Sequence, residues 1–94
     1  MLAPEILKNI EQIQKNEITM SVIYSYMSRR AKGENAKVLA NIAEAEKGHA
    51  EIWSKYTGKM PSPVTLKIIF YLLCGLLFGL TFVINILAMD DDQA

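Results

Sequence analysis

The stretch IAEAEKGHAEIW, residues 42–53, places Glu46 and His49 three positions apart in a run that is otherwise apolar on one side. Leu39, Ile42, Glu46, His49, Trp53 and Tyr56 follow one another at gaps of 3, 4, 3, 4 and 3. That alternation is the signature of one face of an α-helix. A glutamate and the chain's single histidine therefore sit in the middle of a stripe that should face a core.

The segment before it has the same design. Pro4 and Glu5 suit a helix start. Ile6, Ile10, Ile13, Met20, Tyr24 and Met27 continue at helical spacing, and the position missing from the apolar series is Glu17. RRAKGEN, residues 29–35, carries basic residues at the helix end and then Gly33, a stop signal; Gly58 ends the next segment. The spacing predicts helices over about 4–31 and 34–57, joined by a short turn and hence antiparallel neighbours.

Glu17 lies sixteen residues before Gly33, Glu46 thirteen after it and His49 sixteen after it. At about 1.5 Å rise per residue all three stand roughly 20–24 Å from the turn. Three polar groups on two core stripes thus converge at one level. A buried carboxylate has to be hydrogen-bonded, paired or bound to a cation. Glu46 and His49, at i and i+3, project from one face and can hold one metal. Two carboxylates and an imidazole suit iron or manganese better than zinc in its closed tetrahedral shell. The plainer alternative is an ordinary hairpin with a Glu–His hydrogen bond in its seam. Tyr24, one heptad after Glu17, reads as core packing within reach of a ligand carboxylate. Glu11, Glu44 and Glu51 fall off the stripes and read as solvated.

These motifs resemble a family. QKNEITMSVIY, with Glu17 and Tyr24, followed by IAEAEKGHAEIWSKYTGK, with Glu46 and His49, resembles the rubrerythrin branch of the ferritin-like proteins. The likeness is closest to the ferritin-like domain that precedes vacuolar-iron-transporter-type membrane domains. IFYLLCGLLFGLTF is similar to the crossover segment of that group. The resemblance implies a four-helix bundle around a di-iron centre acting on ferrous iron with oxygen or peroxide. The family takes a second Glu and a second Glu-x-x-His from two further helices, which have no counterpart here. Asp91 and Asp92 stand near the expected place of the third-helix carboxylate. One chain therefore supplies half a site: either a second copy supplies the rest, or the chain is a fragment with reduced function. The rubredoxin-like cysteine quartet of rubrerythrins is also missing, since Cys74 is the lone cysteine.

Bulk composition narrows the classes. Ninety-four residues make one small domain with little core. Ten basic and ten acidic residues cancel, and no basic patch interleaved with aromatics points to nucleic acid. One cysteine excludes an internal disulfide framework and fits a reducing compartment. The charged N-terminal stretch does not read as a secretory signal.

The chain changes character after TGKMPSP, residues 57–63. Residues 1–60 read as the half-bundle, and residues 61–94 as a Pro-containing linker, a hydrophobic helix over about 64–89 and an acidic tail. From Ile68 to Met89 there are 22 residues without a charge, enough to span a bilayer. Gly75 and Gly79 are spaced for close helix approach. The segment reads either as a membrane contact, with the hairpin on the cytoplasmic side, or as a helix buried in a dimer core; the lack of charge favours the membrane.

The expectation is thus an all-α chain: an antiparallel hairpin plus a hydrophobic helix, forming a ferritin-like four-helix bundle by dimerisation. Metal would be held by Glu17, Glu46 and His49, with Tyr24 behind them. The cofactor would be iron, as a di-iron centre shared between chains, or manganese. The partner would be a second or further copy, not nucleic acid, and the place cytoplasmic or at the cytoplasmic membrane face. Ferroxidase, peroxidase and iron-sensing roles are all open on that reading. The rival function is a non-enzymatic, membrane-anchored hairpin that mediates assembly.

Overall fold

Proline presets the helical φ and lacks an N–H just where a helix start has donors to spare. Pro4 accordingly opens α1, Pro4–Arg30, with Glu5 in its first turn and Arg29 and Arg30 in its last. This charge order complements the helix dipole. Gly33, at φ 62°, turns the chain into α2, Glu34–Thr57. Gly58 ends α2 in the left-handed region, donating its N–H to the Ser54 carbonyl at 2.8 Å. The computed structural model describes residues 3–93, with the backbone alone for Leu80, Phe82 and residues 90–93. Among the described residues all regular structure is helical, in four helices.

The core lies toward the turn end of the hairpin. Met20, Ile23, Tyr24 and Met27 of α1 pack with Leu39 and Ala43 of α2. At the other end the stripes are bare: Ile6, Ile13 and Tyr56 are exposed. The periodicity located the faces but not how far along them other protein would reach.

Residues 58–64 run back along α1, held by polar side chains that the stripe pattern did not single out. Gln14 is fully buried. Its Nε2 donates to the carbonyls of Ala50 at 3.2 Å and Lys59 at 2.7 Å, and its Oε1 accepts from the Thr57 hydroxyl at 2.9 Å. Further along, the Val64 N–H donates to Thr19 Oγ1 at 2.9 Å, and Lys67 Nζ to Asn16 Oδ1 at 3.0 Å. Lys59 pairs with Glu11 at 3.1 Å.

The hydrophobic segment departs from the single helix expected over 64–89. It forms α3, Thr65–Phe78, and α4, Leu80–Gln93. Gly79 separates them at φ 93°, ψ 166°, a conformation essentially restricted to glycine. Its N–H caps α3 on the Gly75 carbonyl at 3.1 Å. Gly75 and Gly79 therefore do different work. A side chain at Gly75 would meet Val83 of α4, whereas one at Gly79 would meet nothing within 4 Å. Tyr71, Cys74, Val83 and Leu87 join the core. With the run broken, no helix among the described residues is long and apolar enough to cross a membrane, which corrects the expectation of a span over 68–89. Asp91 and Asp92 belong to the acidic tail, and their side chains lie outside the described residues.

Gln14→Ala should lower stability by about 2–3 kcal/mol, because it strips hydrogen bonds that join three segments and leaves buried partners unmet. The midpoint of urea unfolding followed by circular dichroism measures this. Conservation of the midpoint would mean that Gln14 does not clasp the hairpin.

Candidate metal centre

Glu17 projects from the middle of α1 at the edge of the core, and Glu46 and His49 project from one face of α2. Antiparallel packing brings them together, and one donor atom from each lies within 4.8 Å of the others. Among the described residues no other group of three or more potential metal-ligating side chains gathers in this way. The three side chains meet at the level that their distances from Gly33 imply.

The two helices present their donors differently. The Glu17 side chain is 14% exposed and its Oε1 is shut off from solvent. The His49 side chain is 58% exposed, and its Nδ1 stands 3.1 Å from Glu17 Oε2. Glu46 is partly buried. The carboxylate thus lies at the floor of the site and the imidazole at its rim. Outward from them opens a depression of about 310 Å³ lined by Ile13, Glu17, His49, Ile52 and Trp53. His49 departs from the stripe reading in being exposed: among the described residues no helix beyond α1 covers that end of α2. Tyr24 is 4% exposed and sits in the core with Met20 and Met27. Ile52 was not expected in the site; it lies three residues after His49, off the stripe but on the adjoining turn.

The donor set can be tested against a metal. Bonds of about 2.0–2.2 Å put donors at most about 4.4 Å apart across one ion. The 4.8 Å limit on the present group lies within a few tenths of an ångström of that, within reach of small side-chain rotations. With both carboxylates ionised, the group is net negative whether or not His49 is protonated. Two oxygens and one nitrogen would leave further coordination positions open, as iron or manganese centres require. The residues present fit such an ion.

A family model for rubrerythrin matches residues 8–69. No curated protein and no solved structure matches the chain. The matched region contains Glu17, Glu46, His49 and Tyr24 and more than half of the sequence. The chain belongs to the rubrerythrin family of ferritin-like proteins.

Proposed function

We propose that this protein binds iron through Glu17, Glu46 and His49, and that a second copy completes a di-iron centre that oxidises ferrous iron or reduces peroxide. One observation supports the reading: three potential ligating side chains from two helices converge, and two of them, Glu17 and His49, line an apolar-walled depression. Family membership supports iron as the metal, since rubrerythrins generally bind it. Manganese would suit the same donors.

The chain's own residues would do the following. Glu17, whose side chain is 14% exposed, would offset the cost of its burial by pairing with a cation. Glu46 and His49 approach the same ion from one face of α2. His49 would ligate as the neutral imidazole, through whichever ring nitrogen carries no proton. Ile13, Ile52 and Trp53 wall the site and limit water. When bound, a pair of ferrous ions supplies the two electrons that, with two protons, turn one hydrogen peroxide into two waters. The second copy enters because the two hairpin helices supply one Glu and one Glu-x-x-His, half of the set that di-iron bundles use. Ile13 and Ile52 line the site, and together with the exposed Ile6 and Tyr56 farther along the hairpin they would be covered by that copy.

The 3.1 Å Glu17–His49 contact favours one alternative, a hairpin in which this pair is purely structural. Two measurements separate the readings. Elemental analysis after anaerobic ferrous loading should find about one iron per chain, two per pair. Glu46→Ala or His49→Ala should weaken binding by more than about 100-fold, beyond the 10–100-fold typical of outer partners. Full binding by either variant would reject the assignment. Light scattering should show the mass rising about twofold on iron loading, as expected if a two-fold axis builds the site, with Ile52→Lys blocking that rise. A loaded protein of unchanged mass would reject the shared centre.

A further inference from the structure

One face of α3 is unused by the core and by the metal site. Tyr71 and Cys74 point inward and are buried. On the opposite side Leu66, Phe70, Leu73 and Leu77 follow one another at gaps of 4, 3 and 4, flanked by Ile69 and Leu76. These six side chains are 47–79% exposed. Taking about 200 Å² for a fully exposed large apolar residue, they leave on the order of 700 Å² of apolar surface in solvent. That exceeds the roughly 300–600 Å² of the largest patch on a typical monomer. It approaches the ~800 Å² that each partner contributes to a standard interface.

We propose that this face is a second interface between copies of the chain, formed by α3 against α3 across a two-fold axis and separate from the metal-site contact. The 4-3-4 spacing is the seam of two helices packed side by side. A stripe with no charge in it has no like-charge clash when it meets itself, so it is self-complementary. The rival occupant, a lipid surface, is less well served. A helix lying in a membrane interface carries a cationic rim around its apolar face, whereas the single charge of α3 is Lys67, and its amine is bonded to Asn16. The fourteen residues of α3 extend about 21 Å, short of the ~30 Å hydrocarbon core. Tyr71 and Cys74 also tie the helix to the hairpin, so its apolar face cannot leave the protein without opening the core.

The test uses the full chain in detergent-free buffer. Light scattering of metal-free protein should give a dimer, and Phe70→Ser with Leu73→Ser should halve the mass while the circular dichroism spectrum keeps its helical content. The same halving should occur with iron bound, which distinguishes this contact from the metal-dependent one. Flotation with phosphatidylcholine–phosphatidylglycerol vesicles should leave the protein at the bottom of the gradient. Should the double variant fail to fold, Leu73→Cys in a Cys74→Ser background should still cross-link to its own copy with a short bis-maleimide, whereas Asn41→Cys should not. An unchanged mass in a folded double variant, absence of cross-linking at position 73, or flotation lost on substituting the stripe would each overturn the proposal.

Discussion

The burial of the Glu17 carboxylate is the constraint from which the other features follow. Moving a carboxylate out of water costs several kcal/mol unless charge or hydrogen bonds replace the lost hydration. Here the replacement comes from α2, and only if the hairpin register holds. Gly33 sets that register by turning the chain in a positive-φ conformation. Gln14, one turn before Glu17, then locks the far end of α2 and the returning loop to α1. A slip of one residue would rotate Glu46 and His49 off the seam by about 100° and leave Glu17 buried against apolar groups.

The same constraint explains where the molecule stays open. The apolar core occupies the turn end, where α3 and α4 add Tyr71, Cys74, Val83 and Leu87. Beyond Glu17 nothing among the described residues covers Ile13, Ile52 or Tyr56. Among the described residues, those beyond the hairpin fill the core at the turn end and leave the rest of the hairpin helices, 27 and 24 residues long, uncovered. The uncovered ends are the surfaces on which further protein would act. Glu17 and His49 lie in that uncovered part.

Much of this was legible in the residues. The 3-4 spacing of Leu39 through Tyr56, and of Ile6 through Met27, marks the two helices and their facing sides. The similar distances from Gly33 identify Glu17, Glu46 and His49 as neighbours because rise per residue is nearly constant in a helix. What periodicity cannot report is the extent of burial along a face, and so His49 and Tyr56 are more exposed than their stripe implies. Gln14 escaped notice because a buried amide has no periodic mark; its role depends on carbonyls thirty-six and forty-five residues away. The break at Gly79 was hidden by the uniform hydropathy of residues 68–89, in which a glycine reads equally well as a packing surface or as a stop. Its positive φ decides for the stop.

Thermal unfolding of the wild type and of Glu17→Gln, each with and without ferrous iron under anaerobic conditions, tests the central claim most directly. If Glu17 is placed for a cation, the metal-free variant is at least as stable as the wild type, because one of two neighbouring carboxylate charges is gone. Iron at about 100 times its dissociation constant should add about 2.7 kcal/mol to the wild type, a rise of about 10 °C or more for a domain of this size, and should leave the variant unmoved. A destabilised metal-free variant together with a wild type that does not respond to iron would contradict the account and make the Glu17–His49 pair a structural tie.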